Sequence, residues 1–251
     1  MRYDQYLYAL VALVGTGGGL LLLRQVVHRS GWTESLRQGK GVEPQIIGVV
    51  GMLFALTLAF LANDTWMSRD RASAAVFQEA DALHGIRALV LALPPEIRSP
   101  IEQEVDHYLH QAVEVEWPLL GQRQTDPTAS AILDRLLAEA ARPETARQLG
   151  TSVQGQLLSL IMQVRASRDQ RLSLSQTHIN PGKWFNMAGL GFLTLLVIAV
   201  VHIEKPRASI TALILFALAS APMAGLVMIQ SNPFLGLGAI APDPLRVMLS
   251  P

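Results

Sequence analysis

The residues best suited to chemistry in this sequence form one short polar stripe. It consists of Glu104, His107, Gln111 and Glu114, at spacings of three, four and three. These spacings put the side chains on one face of a helix, and a Glu-x-x-His pair on a helix is a metal-binding unit of ferritin-like bundles. Such bundles take ligands from several helices, and this sequence has no second Glu-x-x-His. We therefore predict no metal site and no cofactor. A metal-dependent membrane enzyme using Glu104 and His107 stays a third hypothesis, which metal analysis of the purified protein tests.

A glycine-rich run near the start, Gly15 to Gly19, resembles a nucleotide-binding loop but lacks its context. Leu20 stands where the third glycine of that motif belongs, and no strand is predicted before the run. Gly15 and Gly19 instead form a GxxxG pair inside an apolar segment, a spacing typical of close helix packing in membranes. Because no Ser–His–acid arrangement and no paired-carboxylate site stands out either, we predict that the protein is not an enzyme.

Composition indicates a membrane protein with a sizeable water-facing part. Half of the 251 residues are hydrophobic and only 16% are charged, against about 25% in a typical soluble domain. The formal net charge is zero, so electrostatics give no reason to expect nucleic acid as a partner. The absence of cysteine excludes disulfides, thiolate catalysis and zinc–cysteine sites.

Four apolar runs have the length of membrane-spanning helices, roughly 17–25 residues. They are Tyr6–Leu23, Ile46–Ala62, Trp184–Val201 and Ala208–Ile229. The chain therefore divides into membrane helices 1 and 2 (1–62), a polar insert (63–183), membrane helices 3 and 4 (184–229) and a Pro/Gly-rich apolar tail (230–251). With an even number of crossings, the insert and both termini share one side of the lipid bilayer.

The insert is predicted to be helical, because no stretch of it alternates with period two as a strand would. The second membrane helix should run on into water, since no proline or glycine follows its apolar run until Gly85. Further helices should begin at Pro100, Pro127 and Pro143, and Pro118 should end the first of them. The predicted fold class is all-α: an integral membrane protein with four transmembrane helices in a two-plus-two arrangement around a helical aqueous bundle.

The tail after the last span is too apolar to be left in water. Its prolines, Pro233, Pro242 and Pro244, exclude a continuous helix, and exposing side chains such as Phe234 and Leu245 would be costly. We expect the tail to cap either the membrane face or the helical bundle.

Basic residues near the membrane ends permit two interpretations. Arg165, Arg168 and Arg171 are spaced by three, and Arg69 and Arg71 follow the second span. One interpretation is a solvated face attracted to anionic lipid headgroups. The other is a basic vestibule that concentrates small anions before a pore.

The predicted spans contain no Asp, Glu, Lys or Arg. Proton relays, voltage sensors and many coupled transporters need such groups, so their absence argues against pumps and secondary transporters. It is compatible with a pore gated by an apolar constriction. Val50, Phe54 and Leu58 share one face of the second span and are the candidate pore-lining residues, with contact to a neighbouring helix or lipid as the alternative.

Four patches of the sequence, in the same order, resemble one known family. The first runs from Arg71 to Pro94 and includes Glu79 and Arg87; the second is Tyr108 to Pro118, ending in Glu116-Trp117-Pro118; the third is Arg168 to Trp184, with Arg171 and Pro181; the fourth is the tail, with Pro233-Phe234 and Gly236. Together they resemble the bacterial bestrophin-like membrane proteins. The resemblance departs at Ser231, where members of that family usually carry an acid.

The resemblance implies a function that the residues alone do not. Bestrophins are pentameric anion channels with a similar helix order and a cytosolic helical domain, which implies a homo-oligomeric anion channel in the bacterial inner membrane. The basic residues flanking the spans do not decide the orientation, whereas the resemblance places the insert and both termini in the cytoplasm. The alternative is a non-conducting membrane scaffold or sensor whose helical bundle recruits a partner.

Overall fold

The computed structural model describes Gly18 and residues 45–176, 181–236 and 238–249. Within these ranges every regular element is a helix, and there is no strand. The first predicted span, Tyr6–Leu23, and its GxxxG pair lie outside the described residues except for Gly18. Helices are numbered here from the first one that the structure describes in full.

Helix α1 runs unbroken from Gln45 to Val90, 46 residues, which confirms that the second predicted span continues as one helix beyond its apolar run. At about 1.5 Å per residue it is roughly 70 Å long, and a bilayer core is only about 30 Å thick. Helices α7 (Pro181–Val201) and α8 (Pro206–Ile229) follow the insert. These three helices are long and apolar enough to cross a membrane, and they coincide with three of the four predicted spans.

The remaining helices are short or amphipathic and belong to the insert and the tail. They are α2 (Pro95–His110), a π-helical segment (Gln111–Glu116), α3 (Trp117–Gly121), α4 (Pro127–Ala140), α5 (Pro143–Leu149), α6 (Thr151–Gln176) and, in the tail, α9 (Asp243–Arg246).

Three predicted helix boundaries were wrong. Helix α2 begins at Pro95, so Pro100 lies inside it. The helical course continues past Pro118 into α3. In the π-helical segment, the Trp117 N–H donates to the Ala112 carbonyl, five residues back. This wider turn accommodates a proline ring that would crowd an ordinary helix. The helix predicted from Pro143 is divided into α5 and α6 at Gly150, which has a φ of 79°.

The predicted start of α4 is confirmed in detail. Asp126 is the N-cap residue, and its carboxylate accepts a hydrogen bond from the backbone N–H of Thr128 at 3.2 Å. Pro127 occupies the first turn, where its missing N–H forfeits no helical hydrogen bond.

The described residues form two compact units. The membrane unit comprises the described residues up to Trp66 and residues 181–231; the aqueous unit comprises residues 67–176 and the described part of 232–249. The core of the aqueous unit draws its fully buried side chains from α1, α2, α4, α6 and the tail: Leu83, Ile86, Leu109, Leu133, Leu136, Leu157, Ile161 and Leu245. The predicted domain boundaries at residues 62, 183 and 229 stay predictions.

Candidate functional site

The centre of the aqueous unit is a buried charge network of five side chains. It consists of Glu79 on α1, Tyr108 on α2, Glu116 at the end of the π-helical segment, and Arg168 and Arg171 on α6. The Arg171 guanidinium holds Glu79 through two bonds, Nε to Oε2 at 2.9 Å and Nη2 to Oε1 at 3.0 Å. Its Nη2 also donates to Oε2 of Glu116 at 3.1 Å. The Tyr108 hydroxyl donates to Oε1 of Glu79 at 2.6 Å.

Arg168 completes the network on the side of α4. Its Nη2 lies 2.5 Å from Oε1 of Glu116, and its Nη1 donates to the Ser130 hydroxyl at 2.8 Å. The same guanidinium donates to the backbone carbonyl of Asp126 at 3.0 Å. Two carboxylates therefore face two guanidiniums, and the buried charges balance.

The helices bury these charges because they lie on the apolar stripes themselves. On α6, Arg168 and Arg171 continue the stripe of Leu157, Ile161 and Val164 at helical spacing. On α1, Glu79 lies between Val76 and Leu83 of the buried face. Charged residues on an apolar stripe are a sequence signal for burial, which the prediction of a basic surface overlooked; their pairing depends on tertiary packing.

The members of the network shift one another's pKa values. Burial alone would lower the pKa of the Arg171 guanidinium, but the Glu79 carboxylate, through its charge and its hydrogen bonds, and the Glu116 carboxylate outweigh it, and the pKa is raised. Burial raises the pKa of Tyr108 well above its ordinary value, and the Glu79 carboxylate raises it further, while Arg171 partly opposes them. Tyr108 thus stays a neutral donor. Within the described residues, one buried donor of the network, Nη1 of Arg171, has no hydrogen-bond partner. The enclosure of the network suits a structural role better than turnover of a substrate.

The raised pKa of Tyr108 predicts a loss of stability in alkali. A pKa that is raised on folding contributes stability that is fully present below the unfolded-state pKa of about 10 and is lost as the pH rises from there towards the folded-state pKa. The free energy of unfolding of the wild-type protein should therefore fall above about pH 10 more steeply than that of Tyr108→Phe. Denaturant titrations of both proteins in detergent, at pH 8 and at pH values above 10, measure this; parallel curves would contradict it.

Trp117 joins the network to the tail. Its ring lies under the Arg171 guanidinium, 5.0 Å from Cζ to the ring centroid, a cation–π contact. Phe234 packs edge-on against the same ring at a centroid distance of 5.6 Å and an interplanar angle of 87°. The indole N–H donates to the carbonyl of Ile240 at 3.3 Å. The tail thus caps the aqueous bundle through residues of the family motifs.

Asn232 fixes the start of the tail. Its side-chain amide donates to the carbonyls of Leu120, at 3.1 Å, and Gly121, at 3.4 Å. Its Oδ1 accepts a hydrogen bond from the backbone N–H of Phe234 at 3.0 Å. These bonds satisfy carbonyls at the end of α3 and set the direction of the chain through Pro233.

Arg87 fixes the other end of the tail. Its Nη1 donates to the carbonyl of Met248 at 2.8 Å, and its Nη2 pairs with Asp106 of α2 at 2.5 Å. Gly236 has a φ of 90°, a conformation that favours glycine. Two further motif residues lie in the membrane unit: Pro181 begins α7, and Trp184 packs at the edge of an apolar cluster that contains Phe54 and Leu58.

The structure corrects the basic-vestibule hypothesis for two of its five residues. The side chains of Arg168 and Arg171 are 3% and 0% exposed and are paired with buried carboxylates, so they present no basic surface. Arg165 lies off the apolar stripe and pairs with Asp134 at the surface. Arg69 is half-buried and Arg71 is exposed, and a vestibule role for Arg69, Arg71 and Arg165 stays a prediction.

The candidate pore-lining residues face the interior of the membrane unit. Val50, Phe54 and Leu58 are only 8–9% exposed. The Phe54 ring packs on Phe216 of α8 at a centroid distance of 5.2 Å and lies against Gly191 of α7. This placement fits the alternative, contact with a neighbouring helix, better than the lining of a pore.

In the part of the chain that the structure describes, the opposite side of the same helix is exposed and apolar. We call it the exposed stripe: Val49, Met52, Leu53, Leu56 and Phe60, which are 49–69% exposed. No charged residue interrupts it. Its members share one face because they recur at steps of three and four.

Three of the four residues of the polar stripe Glu104, His107, Gln111 and Glu114 make other contacts. Glu104 pairs with Arg135 of α4 at 3.1 Å, Gln111 donates to Asp126, and Glu114 faces His110 at 3.4 Å. Among the residues that the structure describes, no group of three or more His, Asp or Glu side chains is placed to hold a metal ion.

The fold and these sites define a helical membrane protein whose aqueous bundle is held by a buried charge network and a packed tail. The model of the family described as Bestrophin-like domain matches residues 11–245, and the chain belongs to this family, as the four sequence patches predicted.

Solved structures share the same fold. A single-site mutant of a bacterial bestrophin homolog from Klebsiella pneumoniae matches with a TM-score of 0.69 at 12% identity, covering 98% of this chain and 94% of that one. Another structure of a bestrophin homolog from that organism gives 0.68 at 12% identity, covering 97% and 95%. A structure described as a membrane protein mutant gives 0.65 at 13% identity, covering 98% and 96%. No curated protein sequence matches the chain.

Proposed function

We propose that this protein is an oligomeric ion channel of the bacterial inner membrane, with the exposed stripe of α1 lining its pore. The observation that carries this proposal is an apolar face, free of charge, left open on a helix whose other side is packed by α7 and α8. Several copies of such a face around one axis would form an apolar constriction, a known way to gate ion flow. The bestrophin-like family of the chain supports the same function.

One side of the aqueous unit fits contact with a second copy. From Thr151 to Val164, α6 carries no charged residue, and its exposed positions include Gly155 and Met162. Exposed residues of α4 and α5, in contrast, form surface ion pairs such as Arg135–Glu104 and Arg147–Glu144. Depletion of charge is typical of the centre of a protein interface. We assign this face of α6 to contact between subunits, with the aqueous units in the cytoplasm.

The conducted ions are proposed to be anions, the class that the bestrophin resemblance implies. The exposed stripe itself carries no charge, so charge selection would fall to residues at its aqueous end, where Arg69 and Arg71 lie. A reversal potential measured across a planar bilayer under a chloride gradient tests this. A value at the cation equilibrium potential would contradict the anion assignment and still establish a channel.

Single cysteines test the pore face directly, because the natural chain has none. A charged, membrane-impermeant thiol reagent should modify Leu53→Cys, Leu56→Cys and Phe60→Cys and abolish most ion flux into liposomes. Thiolates form only where water reaches the sulfur, so cysteines facing lipid would not react.

Matched controls come from the buried side of the same helix. Val50→Cys, Phe54→Cys and Leu58→Cys should resist the reagent and keep their flux. Reaction at these three positions with none at the exposed stripe would return the pore to the face first predicted. An absence of flux from the wild-type protein under every ion gradient would overturn the channel.

A non-conducting scaffold or sensor is the second candidate, and the uncharged face of α6 is the observation that favours it. The same surface suits a different protein as well as a second copy. A monomer or dimer in detergent, combined with no flux, would support this function, since so few helices cannot surround a pore.

A further inference from the structure

The tail connects the last membrane helix to the buried charge network in a few residues. Helix α8 ends at Ile229, and Asn232, three positions later, is already fixed by its bonds to Leu120 and Gly121. Phe234 follows at once and is only 7% exposed against Trp117. Only Gln230 and Ser231 separate the end of α8 from this fixed corner of the chain.

Trp117 lies where a displacement of this corner would enter the network. One ring makes three contacts: with the Phe234 ring, with the Arg171 guanidinium and, through its N–H, with the Ile240 carbonyl. A shift of Phe234 cannot leave the indole in place without losing packing, since interiors are close-packed. The contact of the indole with Arg171 would change with it.

Arg171 in turn holds the pore helix. Its two bonds to Glu79 reach α1, the unbroken helix that also carries the exposed stripe. Tyr108 holds the same carboxylate from α2, so the position of Glu79 is set by two partners. Within the aqueous unit, the contacts thus run without a gap from Phe234 through Trp117 and Arg171 to Glu79 of α1.

We propose that the corner Asn232–Phe234 is a regulatory joint. It transmits movement of α8 through Trp117, Arg171 and Glu79 to α1, and so sets the ratio of open to closed channels. This inference rests on the proposed channel function for its gating readout. A chain of contacts alone does not demonstrate coupling, so the test measures non-additivity.

The test compares Phe234→Leu, which keeps an apolar side chain but loses the ring edge, with Tyr108→Phe and the double variant. Phe234→Leu should change open probability in single-channel records about two- to thirty-fold, the usual range for residues along a coupling network, and leave conductance unchanged. In the double variant the two effects should not add. Ala241→Ser, at an exposed tail residue, should change neither quantity and add simply to Tyr108→Phe.

A second readout does not depend on conduction. Amide hydrogen exchange of α1 between residues 67 and 83 should accelerate in Phe234→Leu and respond non-additively to Tyr108→Phe. Additive effects on both readouts, or a change of conductance in place of open probability, would overturn the joint. If the wild-type protein conducts nothing, the channel proposal fails, while the exchange measurement still decides whether the tail and α1 are coupled.

Discussion

Replacing Arg171 with methionine should lower the free energy of unfolding by roughly 3–5 kcal/mol, the usual cost of removing one partner from a buried ion pair. The substitution keeps an apolar side chain of similar length in the core. It leaves Glu79 without its bidentate partner and deprives Glu116 of one donor. The carboxylate left behind is fully buried, and an unpaired buried charge is costly.

Denaturant titration in detergent, followed by helical circular dichroism, measures this loss. The matched control is Arg165→Met, two turns earlier on the same helix. Arg165 pairs with Asp134 at the surface, with a side chain 33% exposed, and exposed pairs contribute about 0–1 kcal/mol. Equal losses for the two variants would contradict a structural role for the buried network.

Deleting the tail, residues 233–251, should prevent recovery of a stable, assembled protein. The deletion uncovers Trp117 and removes the buried side chains of Phe234 and Leu245, each worth about 1.5–3 kcal/mol by burial. It also removes the Met248 carbonyl, to which the Arg87 guanidinium donates a hydrogen bond. These losses together approach the whole stability of a typical domain, about 5–15 kcal/mol.

Size-exclusion profiles and yield in detergent measure the effect of the deletion. A shorter truncation after Arg246 is the control, because it removes the Met248 carbonyl but retains Phe234 and Leu245. It should fold, with a reduced midpoint of thermal unfolding. Unchanged yield and assembly of the longer deletion would show that the tail is dispensable.

The helices were largely predictable because their signals are local. The absence of proline and glycine after the second span predicted the continuation of α1, and the sequence Asp126-Pro127 predicted the start of α4. The π-helical segment was not predicted, because a proline such as Pro118 ordinarily indicates the end of a helix. Only the structure shows the wider turn that precedes it. Gly150 divides α5 from α6 at a position where the apolar pattern alone predicts continuity.

The buried charge network and the pore face could not be predicted in the same way. Arg171 and Glu79 are 92 residues apart, and only tertiary packing brings them together. The spacing of three led to the prediction that Arg168 and Arg171 lie on the surface. Their helical register with Val164 instead places both side chains in the core of the aqueous unit. In an entirely apolar span, the buried and the exposed face have the same kinds of residue. Periodicity therefore placed Val50, Phe54 and Leu58 on one face but could not show whether that face is buried or exposed.

The unbroken length of α1 also constrains how this chain can change in evolution. Phe60 and Glu79 lie on one helix, so each residue inserted between them would rotate one against the other by about 100°. An insertion of seven residues restores the phase to within about 20° and lengthens the helix by about 10 Å. Insertions and deletions between these positions should therefore occur in steps of about seven or eleven residues, while the loops of the insert remain free to vary in length.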